Sequence, residues 1–138
     1  MSRLVRRSLS MDAPLAARLE RLARRHGAAN RSAFVRALLR EKLVEEEWAA
    51  DREAVGTLTL VYDHRRRRLS ARLVAAQHHH HEQVLAALHV HLDARTCVEA
   101  ILIRGRAGAI RRLADRLRHE KGVLHAALAL SSTGRDLA

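Results

Sequence analysis

Three aromatic side chains, Phe34, Trp48 and Tyr62, are all that this 138-residue chain possesses, and that scarcity constrains its fold more than any other feature. A single large aromatic core is excluded. So is recognition of RNA or single strands by base stacking, which needs aromatic platforms. Any core must be built from Leu, Val, Ala and Ile. Hydrophobic residues still make up 48% of the chain, which argues against disorder. Two small cores completed by oligomerisation suit this length better than one deep core.

Charge narrows the class of partner. Basic residues number 26 against 15 acidic ones, a net charge of +11, and all but Lys42 and Lys121 are arginine. Such a balance points to a polyanion, nucleic acid or an anionic membrane surface, and away from an ordinary neutral cytosolic enzyme. The charge is uneven. Residues 1–42 carry a net +8, residues 43–54 a net −4, and the remainder +7. The pattern divides the chain into a basic head over residues 1–50 and a second domain over residues 51–138. Cys97 is the sole cysteine and has no partner for an internal disulfide, which fits a reducing compartment. The N-terminal stretch MSRLVRRSLSMD has no apolar h-region. No apolar run approaches the ~20 residues that span a bilayer. The expectation is a cytoplasmic protein with no membrane partner.

Periodicity supplies the elements. Residues 4–10 alternate as a short strand, with Arg6, Ser8 and Ser10 on one face. Ser10 or Asp12 caps a helix that carries Leu15, Leu19 and Leu22 to Gly27. Asn30 caps a second helix with Phe34, Val35, Leu38, Leu39 and Leu43 as its apolar stripe. One strand cannot form a sheet, so this head must pair with a second copy of itself. Further on, the pattern predicts a strand at Val55–Asp63, a helix over 65–80 and strands at Val84–Leu92 and Cys97–Arg104. A break at Gly105–Gly108, a helix through Ile110 and Leu117, and a strand at Val123–Ser131 complete it. That order is β-α-β-β-α-β, the ferredoxin-like arrangement, in an α+β chain.

Histidines concentrate in the middle of this second half. His78–His81 are consecutive, and His89, His91 and Cys97 follow. Residues two apart on a strand share a face, so His89 and His91 can present nitrogens to one ion. The turn at Asp93–Thr96 brings Cys97 back beside them, and a fourth ligand must come from the histidine run. Such N₃S ligation suits Ni(II) or Cu(II) if planar and Zn(II) if tetrahedral. Glu82 and Glu99 are the close carboxylates. No Ser–His–Asp ordering is visible, and Gly105-Arg106-Ala107-Gly108 lacks the Lys-Ser/Thr of a phosphate loop.

A basic strand before two helices, obligately paired, suggests an antiparallel ribbon in the DNA major groove. There Arg6 could pair with guanine while Ser8 and Ser10 contact base edges. Asn30, Arg31 and Ser32 begin the second helix, whose free N–H groups and dipole suit a phosphate. The Arg65–Arg68 run reads as a solvated helix start within reach of flanking phosphates.

The elements VRRSLSMDAPL, NRS at 30–32, QHHHH at 77–81 and LHVHLDARTCVE at 88–99 resemble the nickel-responsive ribbon-helix-helix repressors, the NikR family, over nearly the whole chain. The resemblance implies a ribbon-helix-helix DNA-binding domain followed by a ferredoxin-like, ACT-like domain for metal binding and tetramerisation. It implies a homotetramer, two ribbon-helix-helix dimers flanking a tetrameric core, on double-stranded operator DNA. It also implies one square-planar Ni(II) per chain, held by His89, His91 and Cys97 of one chain and His78 of a neighbour. Glu99 matches a carboxylate that orients a ligand imidazole, and Arg6, Ser8 and Ser10 take base-reading positions. Arg7 departs from a position usually apolar in the ribbon. Ala33 and Ala37 stand where some members carry carboxylates for an accessory cation.

The resulting expectation is a cytoplasmic transcription factor, not an enzyme, in which Ni(II) promotes operator binding and represses nickel-uptake genes. The first rival is a ribbon-helix-helix regulator that senses an amino acid or another divalent metal such as Cu, Zn or Co. A metal-dependent hydrolase is the second, and it would demand an exchangeable water on the metal.

Overall fold

The computed structural model describes residues 3–137. They divide into two compact units, one within Met1–Leu43 and Asp136–Ala138 and the other Val44–Arg135.

In the first unit, α1 (Ala13–Arg25) begins where Asp12 Oδ1 accepts the Leu15 N–H at 2.8 Å, with Pro14 in the opening turn. It ends at Gly27, whose φ of 61° is left-handed backbone that glycine adopts without steric cost. Asn30 Oδ1 accepts the Ala33 N–H at 2.8 Å and so caps α2 (Arg31–Ala49). Ala23 and Phe34 are buried, and Phe34 stacks on His26 with ring centres 5.6 Å apart. Leu15, Leu22, Leu38 and Leu39 remain exposed, so one copy of this unit does not cover its own apolar stripe.

Residues 3–12 form no strand, which corrects the strand expected at 4–10. The physical reason is pairing: a strand is defined by ladder hydrogen bonds to a neighbour. A single copy offers this segment none, and Leu4 stays 81% exposed.

The second unit contains β1 (Glu53–Asp63), α3 (Leu69–His79), β2 (Val84–His91), β3 (Thr96–Arg106), α4 (Ala107–Arg118) and β4 (Val123–Ser132). The strands form one antiparallel sheet in the order β2-β3-β1-β4, the expected ferredoxin-like topology. Alternate residues of β1 and β3 are buried, among them Leu58, Leu60, Tyr62, Ile101 and Ile103. They share one core with Leu69 and Leu73 of α3 and Ile110, Leu113 and Leu117 of α4. Trp48 joins this core, its indole N–H donating to the Ser131 carbonyl at 2.8 Å.

Two boundaries differ from the sequence reading. α3 starts at Leu69 rather than at 65, because Asp63 Oδ1 accepts the Arg65 N–H at 3.0 Å and Arg68 takes a left-handed φ of 64°. The chain thus makes a turn before the helix. β3 runs through Gly105, which pairs with Ala54, so the expected break is absent and α4 follows at once. The Asp51 carboxylate accepts the Gly108 N–H at 2.7 Å and supplies the helix start with its partner.

Candidate metal centre

The β2–β3 hairpin positions the main candidate donors. Its turn is set by Asp93 Oδ1, which accepts the N–H groups of Arg95 and Thr96, each at 2.7 Å. The resulting register puts His91 opposite Cys97 and His89 opposite Glu99. His91 Nδ1 lies 3.4 Å from Cys97 Sγ, and the His89 and His91 rings are 5.0 Å apart. Cys97 is fully buried, whereas β2, at the sheet edge, leaves both histidines exposed.

His89 is anchored from β1 and α3. Gln77 donates to Glu99 Oε1 at 2.8 Å, and the Tyr62 hydroxyl donates to Glu99 Oε2 at 3.4 Å. An ionised carboxylate can only accept. With its proton directed to Glu99, the hydroxyl oxygen accepts from His89 Nδ1 at 3.1 Å. That chain leaves His89 Nε2 with its lone pair, ready to ligate. Burial, then the charges of Glu99 and Cys97, push the Tyr62 phenol up to about 12.

His64, the residue after β1, was not among the residues singled out from sequence. Its N–H donates to the Arg95 carbonyl at 3.1 Å, and its Nε2 bonds the Ala94 carbonyl at 3.0 Å. Its ring meets that of His91 edge-on at 4.9 Å. Donor atoms of His64, His91 and Cys97 all lie within 4.8 Å of one another. Among the described residues, neither His78 nor His89 joins a group that tight within one chain. His78 sits exposed in the last turn of α3, and its carbonyl accepts from the His81 N–H at 3.3 Å. Tyr62, Gln77 and His64 were missed because they reach the hairpin through the topology. The one local signal was that β1 of a ferredoxin-like sheet ends beside the start of β3.

The electrostatics favour a cation. Burial pushes the Cys97 thiol up, and the carboxylates of Asp93, Glu99 and Asp63 add to it. A thiolate here gains most from a metal that takes up its charge. Asp63 is held well below the usual carboxylate range, first by the Arg65 side chain and then by Arg95, whose Nε is 3.0 Å away. Imidazole with buried thiolate is a donor set for late divalent ions such as nickel, so the residues present fit that metal.

The nucleic-acid candidates lie in the first unit. Arg6, Ser8 and Ser10 are exposed in the segment before α1, which has no regular secondary structure. Asn30 caps α2, Arg31 pairs with Glu20, and Ser32 Oγ accepts from Arg36 at 3.1 Å. No acidic side chain of α2 occupies its first turn, although Glu20 of α1 reaches its first residue, Arg31. Ala33 and Ala37 lie in the same helix and bring no carboxylate.

A basic two-helix head and a ferredoxin-like domain with an imidazole–thiolate hairpin define a class, metal-binding DNA-associated proteins. Comparison with known proteins makes it particular. Residues 55–131 match the NikR C-terminal nickel-binding domain, and residues 5–46 match the ribbon-helix-helix proteins of the copG family. A protein of Geobacter sp. (strain M21) named as a nickel-responsive regulator is 46% identical over 99% of both chains. One from Desulfovibrio desulfuricans with the same name is 44% identical over 100% of both, and one from Thermococcus onnurineus is 36% identical over 98% of this chain and 99% of its own. An uncharacterised protein of Thermotoga maritima shares the fold, with a TM-score of 0.52 and 15% identity over 57% of this chain and 98% of its own. The chain belongs to the NikR family of nickel-responsive regulators. As a member it is a nickel-sensing, DNA-binding transcriptional regulator rather than an enzyme. Among the described residues, no helix is long and apolar enough to cross a membrane.

Proposed function

We propose that this regulator acts in the cytoplasm as a homotetramer, two ribbon-helix-helix dimers around a core of ferredoxin-like domains, and represses nickel-uptake genes when nickel is bound. Each chain would hold one Ni(II) through His89, His91 and Cys97, with His78 contributed by a neighbouring chain. The observation that carries this reading is the hairpin register, which sets His91 Nδ1 3.4 Å from Cys97 Sγ and places His89 on the same face. When bound, the ion supplies a common centre for a soft thiolate and borderline imidazoles. Glu99, held by Gln77, fixes the Tyr62 hydroxyl, and that hydroxyl orients His89. His78 follows Gln77 directly, so the segment that steadies Glu99 also carries the donor offered to the neighbour.

Metal and operator sites lie in different units, so coupling works by favouring an arrangement of heads able to bind DNA. Two heads would pair their residue 4–10 segments as a ribbon, presenting Arg6, Ser8 and Ser10 to bases. Asn30, Arg31 and Ser32 at the start of α2 would face phosphates, and the domains would divide near residue 50. With Ala33 and Ala37 in place of carboxylates, an accessory cation adds little. Operator affinity, measured at fixed salt against nickel equivalents per chain, tests this. It should tighten at least tenfold, about 1.4 kcal/mol, and level off at one equivalent. A flat curve refutes the sensor, and Cys97→Ser should produce one.

A further inference from the structure

On the far side of the second unit from the hairpin, a groove opens between α4 and β4. Its floor is rigid. The Trp48 indole N–H donates to the Ser131 carbonyl of β4 at 2.8 Å. A Cβ on Gly56 would stand 3.0 Å from Ile110, 3.1 Å from Leu128 and 3.3 Å from Trp48, so these side chains converge on that glycine. The guanidinium of Arg111 lies over the indole, 5.2 Å from the ring centre. Among the described residues, Arg111 has neither a hydrogen bond nor an ion pair. Asp115, one turn further along α4, is instead committed to Arg118 at 2.8 Å. A fixed cation is thus left without a counter-charge. The groove holds about 240 Å³ and is lined by Arg111, Asp115, Arg118, Leu128 and Leu130. Leu128 is half-buried and Leu130 is 40% exposed, so one wall is apolar and wet.

We propose that this groove is a binding site for a small aliphatic carboxylate, with the carboxylate on Arg111 and the chain along Leu128 and Leu130. The planar guanidinium fork matches a carboxylate in two parallel hydrogen bonds, and stacking on Trp48 leaves its N–H groups free to make them. At roughly 30 Å³ for each water-sized atom in a liquid, the groove takes about eight non-hydrogen atoms, a carboxylate of about six carbons. An apolar wall with one convergent polar group is the usual build of a small-molecule site. Other ligand chemistries fit less well. A neutral molecule of the same size would cover Arg111 without giving its charge a partner. An α-amino acid would need a free carboxylate for its ammonium group, and Asp115 is already taken by Arg118. The site uses none of the nickel-set residues and stands apart from that reading. A ligand seated there bears directly on Trp48, through which the end of α2 joins the second core.

The test is a calorimetric titration of sodium hexanoate into the metal-free full-length protein, with the emission of Trp48, the sole tryptophan, followed in parallel. Saturable binding of one hexanoate per chain is expected, together with a shift in that emission. Arg111→Met keeps the apolar stem and removes the fork, and Leu130→Asp sets a like charge on an exposed position of the wall. Each should weaken hexanoate by about tenfold, the loss typical of a charged hydrogen bond. Hexanol and leucine, titrated into the wild-type protein, give a readout independent of variant folding, and both should bind about tenfold more weakly than hexanoate. Absence of saturable hexanoate binding overturns the proposal, as does undiminished binding in either variant. Hexanol as tight as hexanoate would reduce the groove to a greasy surface, and leucine as tight would make it an amino-acid site; either result also overturns the proposal.

Discussion

Tyr62→Phe removes one oxygen and leaves the buried ring in place. In the native protein that oxygen donates to Glu99 at 3.4 Å and accepts from His89 at 3.1 Å. With the phenol pushed up to about 12, it remains a neutral donor throughout any practical titration. Removing such a support from a ligating histidine costs about 10–100-fold in metal affinity. The contact to Glu99 is long for a hydroxyl hydrogen bond, which places the loss near the lower end, about tenfold or 1.4 kcal/mol. Stability should move less. Glu99 keeps Gln77 at 2.8 Å, and the lost bond is worth about 1 kcal/mol. The assay pairs chelator competition for Ni(II) with thermal unfolding of the metal-free protein. Nickel affinity within twofold of wild type would refute the chain from Glu99 through Tyr62 to His89. A collapse of the metal-free fold would show instead that Tyr62 is merely a packing residue.

Arg6→Ala should cost about 1–3 kcal/mol on the cognate operator and relax base preference at one position per half-site, whereas Arg31→Ala should weaken all duplexes alike and reduce the salt slope by about one phosphate. Equal losses on specific and random DNA for both variants would remove the ribbon as the reader. The Asp63 carboxyl is depressed in the folded state by Arg65 and Arg95, so its contribution is present above the unfolded carboxylate value of about 4 and is lost as pH falls below it. Acid unfolding of the metal-free protein should therefore be less pH-dependent in Asp63→Asn, and identical profiles would contradict the assignment. Leu58 is completely buried, so Leu58→Ala should destabilise the second unit by about 2–5 kcal/mol; Trp48, the sole tryptophan, lies in the same core and reports the unfolding by fluorescence.

The ferredoxin-like order was legible because each element of residues 53–132 announces its own period, and because Gly122 and the Asp93 turn punctuate it. The facing of His89, His91 and Cys97 in the hairpin was legible for the same reason: two positions on one strand and a short turn determine who faces whom. His64 was not. In a chain with ten histidines, a lone imidazole after a strand acquires meaning only when the sheet order brings the end of β1 to the start of β3. The helix start at Leu69 was hidden similarly, since four consecutive arginines have good helix propensity and only the Asp63 side chain diverts them into a turn. The N-terminal strand failed for a different reason. Its alternation is written in the sequence, but a single copy offers it no strand to pair with.

β2 pairs on one side only, with β3, and its side chains Leu85, Leu88 and Val90 are exposed, Leu88 to 65%. His89 and His91 ride on this strand. On the proposed ligand set, metal retention would be subject to mass action between subunits as well as between protein and ion. At high protein concentration a neighbour that covers β2 would stiffen the strand and hold the imidazoles in register. On dilution the strand would lose that support, and the ion would be released more readily at the same free-metal level. Nickel affinity for such a protein would then be a function of its own abundance. A cell could raise its sensitivity to the metal simply by making more of the regulator, with no change to any ligand.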